Sequence, residues 1–122
     1  MGLRFSLFDF LDDMAAAYQM ADVVISRSGA VSMLEIAAFQ APAILIPYPL
    51  AGGHQRENAK VLCRRNAARM IEEKDLTAQT LEKAIVEILT QKPGKEELRK
   101  NVESLLIPDA AVRIAREIVQ LK

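Results

Sequence analysis

The sequence predicts an α/β domain: a doubly wound parallel sheet of about four strands with helices on both faces. Two features of patterning and one of size point to it. Short β-type runs alternate with helical patterns along the chain, the order expected of a doubly wound architecture. The runs VVIS at 23–26 and AILIP at 43–47 are almost continuously apolar instead of alternating. Strands take that composition when a parallel sheet is covered on both sides. At 122 residues the chain is long enough for one cored domain, 1–122, and too short for two. An apolar content of 51% supplies a packed interior and argues against disorder.

Taken in order, Leu3–Phe8 is expected as a strand and Asp12–Ala21 as a helix, opened by acids that suit the positive helix start. Val23–Ser26 is a short buried strand, and Ala30–Gln40, rich in Ala, Leu, Met and Glu, a helix. Ala43–Pro47 is a second buried strand, closed by prolines. A helix over His54–Asn66 leads to a strand at Ala68–Ile71. Thr77–Thr90, Lys95–Leu105 and Asp109–Leu121 are the final helices, and a proline precedes or opens each of the last two.

Composition removes several function classes. Sixteen basic residues balance sixteen acidic ones, so no electrostatic footprint calls for nucleic acid or an anionic membrane. Cys63 is the single cysteine, which excludes an internal disulfide and any cysteine-based zinc site and suits a reducing, cytosolic setting. With one histidine and scattered acids there is no metal constellation. No signal peptide is visible. The most apolar stretch, Ala37–Ala51, is broken by Gln40, Pro42, Pro47 and Pro49 and cannot span a bilayer.

In a doubly wound fold, ligands sit beyond the carboxyl ends of the strands. This confines the search to Asp9–Asp13, Arg27–Ser32 and Tyr48–Asn58. In ISRSGAVSMLE, a strand ends at Ser26 and Ser28-Gly29-Ala30 turns into a helix. Small residues there permit close backbone approach, and the unpaired N–H groups of the first helical turn suit a phosphate or diphosphate. Arg27 could add charge-assisted hydrogen bonds, or could equally form a surface ion pair beside a plain strand–helix turn. Glu35 also has two readings. With Ser32 it fits a capping box; if the helix begins near Gly29, it lies in the second turn, able to accept ribose hydroxyls. In YPLAGGHQREN, Gln55 and Asn58 offer donor and acceptor together, which suits sugar hydroxyls. His54, at a helix start, is ordinarily a cap or a solvated residue. The adjacent Asp12 and Asp13 diverge on a helix and cannot work as an acid–base pair. Phe10 and Leu11 pack either a planar base or the core, and Lys60, Arg64, Arg65 and Arg69 form a solvated basic run.

The blocks DFLDDMAAAYQMADVVISRSGA, SMLEIAAFQAPAILIPYP, HQRENAKVL and IPDAAVRIAREI occur in this order and cover nearly the whole chain. In them the sequence resembles the second half of the C-terminal domain of the MurG family. These are inverting GT-B glycosyltransferases that move GlcNAc from UDP-GlcNAc onto a lipid-linked MurNAc-pentapeptide in peptidoglycan synthesis. The resemblance implies a Rossmann-like donor domain, no metal or other cofactor, and a cytoplasmic parent enzyme peripheral on the inner membrane face. By position, Phe10 and Leu11 would hold uracil. Arg27, with Ser28, Gly29, Ala30, Val31 and Ser32, would face the diphosphate, and Glu35 would take the ribose. His54 (often Gln in the family), Gln55 and Asn58 would meet the GlcNAc.

The resemblance further implies that the acceptor domain, its general base and the glycine-rich first loop of the donor domain have no counterpart here. Catalytic residues are therefore expected to be absent, and UDP-GlcNAc binding weak. Competing readings are the donor subunit of a two-chain GlcNAc transferase, a UDP-GlcNAc 2-epimerase, and a folding or recombination scaffold without activity. The first should keep a glycine-rich loop, and the second its catalytic acids and histidine. In the family's strand order 3-2-1-4-5-6, the chain would hold strands three to six. Leu3–Phe8 is then expected either to move beside Val23–Ser26 as a fourth parallel strand, or to leave an apolar edge at which two chains pair.

Overall fold

The computed structural model describes residues 4–50, 52–90, 94–107 and 109–121. Helix α1 spans Met14–Met20, strand β1 Val24–Ser26, α2 Ala30–Ala38, β2 Ala43–Leu45, α3 His54–Cys63 and β3 Arg69–Met70. A 3₁₀ turn at Glu73–Asp75 precedes α4 Ala78–Thr90, α5 Lys95–Glu103 and α6 Ala110–Gln120. The three strands pair in the order β1-β2-β3, all parallel. Val24, Ile25 and Ser26 lie opposite Ala43, Ile44 and Leu45, and Ile44 and Leu45 opposite Arg69 and Met70. Backbone bonds from Val24 N to Pro42 O (2.8 Å), Ile46 N to Ser26 O (2.9 Å) and Ile71 N to Leu45 O (3.0 Å) lengthen the ladders at both ends.

The apolar composition of AILIP follows from its place. Ala43, Ile44 and Leu45 are all fully buried because β2 is the central strand and both its faces are covered. Ala43 and Leu45 join Tyr18 of α1, Ile36 of α2, and Ala59 and Leu62 of α3 on one face. Ile44 packs with Ile88 of α4 and Leu98 of α5 on the other. Leu81, Ala84, Ile85 and Ile88 form the apolar stripe that α4 turns to that core, at the spacing of one helix face. Helix α6 is different: none of its described residues is buried, and Ile114, Ile118 and Val119 are exposed. No helix among the described residues is long and apolar enough to cross a membrane.

The α/β class, the parallel sheet and the order of its last three strands agree with the sequence. The strand count does not: among the described residues the sheet has three strands, without the expected first one. Leu3 lies outside the described residues; residues 4–8 form no strand, and Phe5, Leu7 and Phe8 are 88%, 92% and 63% exposed. A run of this length has β-type side chains but no neighbour to satisfy its backbone, so composition alone does not make it a strand. The move beside β1 does not occur, and β1 has β2 as its one strand neighbour among the described residues.

Helix ends also fall short of the expectation, for one local reason. Gln40 and Asn66 adopt left-handed backbone, with φ of 50° and 52°. Ala41 N donates to Ile36 O (3.0 Å) and Ala67 N to Leu62 O (2.9 Å), closing α2 and α3 with bonds of the Schellman type. Gly53, at φ 79°, is the N-cap of α3, and a β-carbon there would meet no atom within 4 Å. The cost of a side chain at this position is therefore conformational. Gly53→Ala should lower unfolding free energy by about 1 kcal/mol, read as a drop in urea midpoint with an unchanged slope.

Candidate functional site

Because the strands are parallel, the segments leaving their carboxyl ends lie side by side. β1 runs into Arg27-Ser28-Gly29, β2 into residues 46–50, and β3 into residues 71–75. Side chains tie the three together. Ser28, fully buried, donates its hydroxyl to Gln55 O (2.7 Å), and Asn58 Nδ2 donates to Ser28 O (3.0 Å). Gln55 Oε1 accepts from Tyr48 N (3.0 Å), and its Nε2 would stand 3.8 Å from a β-carbon on Gly29. Arg27 donates to Ile46 O (3.3 Å), approaches Pro47 O (3.5 Å), pairs with Glu73, and lies 5.5 Å from the Tyr48 ring centre. Arg56 Nε lies 2.6 Å from Glu72 Oε1. Tyr48, Gly53, Arg56, Glu72 and Lys74 line a cleft of about 320 Å³ with Pro47 and Pro49.

The start of α2 decides between the readings of Ser32 and Glu35. Gly29 is the N-cap and makes no side-chain cap bond; the first intrahelical bond runs from Met33 N to Gly29 O (3.0 Å). Ser32 is then the third helical residue, and the capping box is excluded. The N–H groups of Ala30, Val31 and Ser32 have no partner within the helix, as at any uncapped start. Ala30 and Val31 are exposed and Ser32 half-buried. Glu35 lies in the second turn, half-buried, and accepts the Tyr18 hydroxyl at Oε2 (3.0 Å). Tyr18 is 6% exposed and stacks on Phe39, with ring centres 5.5 Å apart and planes 8° from parallel. Burial first, and then the Glu35 carboxylate, push its hydroxyl pKa up to about 12.

The remaining expected residues are placed less favourably. His54 is the exposed first residue of α3. Asn58 ties Ser28 down with its Nδ2 instead of presenting it outward. Phe10 is 76% exposed and Leu11 half-buried, in the segment that leads into α1. Among the described residues no group of three or more His, Cys, Asp and Glu is placed to hold a metal.

Residues 2–114 match the model of the glycosyltransferase family 28 C-terminal domain. The chain belongs to that family. It is 42% identical over 113 residues to UDP-N-acetylglucosamine–N-acetylmuramyl-(pentapeptide) pyrophosphoryl-undecaprenol N-acetylglucosamine transferase of Bdellovibrio bacteriovorus, covering 93% of this chain and 32% of that protein. The protein of the same name from Citrifermentans bemidjiense is 40% identical over 119 residues, covering 97% of this chain and 33% of its own. A crystal structure of Acinetobacter baumannii MurG superposes with a TM-score of 0.84 at 28% identity, over 94% of this chain and 33% of that one. The chain thus spans about a third of the length of the relatives it matches.

In this family 28 domain the sequence reading missed Tyr18, Glu72 and Glu73. The acids follow β3, so the same rule that selected the loops after the first strands would have reached them. Tyr18 carried no sequence signal beyond its place on the buried side of α1, since its partner lies on another helix. The raised Tyr18 pKa predicts a pH dependence of stability. The unfolded chain loses the phenolic proton near its ordinary 10.0 and the folded chain near 12, so stabilisation present below pH 10 should fade as pH rises through that window. Cys63, whose thiol burial pushes up to about 11, titrates in both wild type and Tyr18→Phe and cancels in their difference. Chemical denaturation from pH 9 to 12 should therefore show the two proteins converging in stability; parallel curves would refute the assignment.

Proposed function

We propose that this chain is the donor-nucleotide part of an N-acetylglucosaminyltransferase and holds UDP-GlcNAc at the carboxyl edge of its sheet. One observation carries the reading: the uncapped start of α2 sets open N–H groups between Arg27 before it and Glu35 in its second turn. Backbone donors and a guanidinium suit a diphosphate, and a carboxylate suits a vicinal diol. Membership of family 28 and relatives named for transfer of N-acetylglucosamine support the same ligand class. Gln55 and His54, at the start of α3, are the proposed sugar contacts, and the exposed Phe10 with Leu11 the proposed base contact. Arg27 reaches a diphosphate by exchanging its Glu73 partner for phosphate oxygens. The acceptor, a lipid-linked sugar, and the base that activates it belong in this reading to the remaining two thirds of a relative's length. A water-soluble donor and a lipid-borne acceptor meet at the cytoplasmic face of the membrane.

Transfer needs an acceptor hydroxyl deprotonated and aligned with the anomeric carbon, so the chain alone should turn over no UDP-GlcNAc with a lipid-linked acceptor analogue. Turnover by protein free of full-length enzyme would refute that. NMR titration with UDP should move resonances of Arg27–Ser32, Glu35 and Gln55 with Kd of about a millimolar or weaker, and Glu35→Ala should weaken it further. Shifts confined to other parts of the chain would sink the site. The single-neighboured edge of β1 and the exposed Phe5, Leu7 and Phe8 support association of two chains. Sedimentation equilibrium should then report dimers at high concentration, and a monomer throughout would reject them.

A further inference from the structure

We propose that Tyr18 is a positioning residue: its hydroxyl fixes the Glu35 carboxylate in the orientation that receives the ribose of the donor nucleotide. The inference rests on the donor-site reading above and adds a residue on a different helix. Packing accounts for the Tyr18 ring, which is buried and stacked on Phe39, but a phenylalanine would pack there as well. The hydroxyl needs a separate reason. A buried phenol requires a polar partner, and its partner is Glu35 Oε2 at 3.0 Å, seventeen residues away in the chain.

The acceptor arithmetic favours positioning over blocking. An ionised carboxylate has about four lone-pair sites. Tyr18 takes one of them on Oε2, which leaves Oε1 and the rest of Oε2 for the two hydroxyls of a diol. Without the phenol the glutamate side chain is free to rotate about its terminal bond, and ligand binding has to halt that motion. With the phenol in place the carboxylate is oriented before the nucleotide arrives. The anchor itself is rigid. Asp13 caps α1 by accepting from Ala16 N (2.9 Å), and α1 presses Tyr18 into the core formed by Ile36, Ala43 and Leu45. The segment leading into α1 carries Phe10 and Leu11, the proposed base contact, and the helix itself carries the tether for the proposed ribose contact.

The test uses the 122-residue chain and two probes, UDP and its 2′,3′-dideoxy analogue, titrated by NMR. Wild type should prefer UDP by about tenfold, and Tyr18→Phe should reduce that preference about threefold or more while leaving the dideoxy affinity unchanged, the range expected when one hydrogen bond is lost. Glu35→Ala should bring the ratio near one, and Tyr18→Phe added to it should change nothing further. A structural role for the hydroxyl would weaken both probes alike. If wild type discriminates and Tyr18→Phe discriminates equally, the positioning role falls and the donor site stands. If wild type binds the probes alike, the ribose role of Glu35 falls and takes Tyr18 with it; if it binds neither, the donor-site reading itself falls. A second readout leaves Tyr18 and Glu35 unchanged. The chain has two tyrosines, so 3-fluorotyrosine labelling gives a Tyr18 line assigned with Tyr48→Phe; UDP should shift it and the dideoxy analogue should not. An unmoved line would overturn the proposal.

Discussion

The burial of β2 on both faces is the constraint from which the rest of the architecture follows. With Ala43, Ile44 and Leu45 all inaccessible to solvent, every backbone group of the strand has to be paired in the sheet, and β1 and β3 supply that pairing on its two sides. Alternation along the strand then sorts the helices. Ala43 and Leu45 draw α1, α2 and α3 to one face, and Ile44 draws α4 to the other. Helix α5 contributes Leu98 to one cluster and Val102 to the other. Parallel pairing, in turn, brings the outgoing loops of all the strands to one edge. The position of the candidate site is a consequence of the core.

At that edge the loops are joined by polar side chains of unequal standing. The bonds of Ser28 and Asn58 are part-buried and bind the turn before α2 to the first two turns of α3. The Arg27–Glu73 pair is about half exposed on each side, 48% and 41%, so its stabilisation is small and it is easily exchanged for another anion. In the donor-site reading proposed above, this frame with its replaceable counter-ion suits a surface that receives a phosphate and releases it.

Much of the fold was legible because its cause is local. Continuous apolar runs named β1 and β2, helix-type composition named α2, and prolines marked the starts of α5 and α6. Two failures have separate origins. Residues 4–8 have the side chains of a strand, yet whether they become one depends on a neighbour that no local pattern reports. Gln40 ends α2 by entering left-handed backbone, for which glutamine gives no signal, whereas Asn66 at the end of α3 is a residue type that tolerates it.

Of the candidate site, the sequence by itself determined the turn at Ser28–Gly29, the helix that follows it and the residues of the loop before α3. All of these rest on spacing within a single strand–helix unit. Only the tertiary structure decided that Arg27 meets Glu73, forty-six residues on, and that Glu35 is held by Tyr18 instead of closing its own helix start. Those contacts join separate units of the fold. The geometry that creates them is the packing of parallel strands and their covering helices, and no spacing within one segment encodes it.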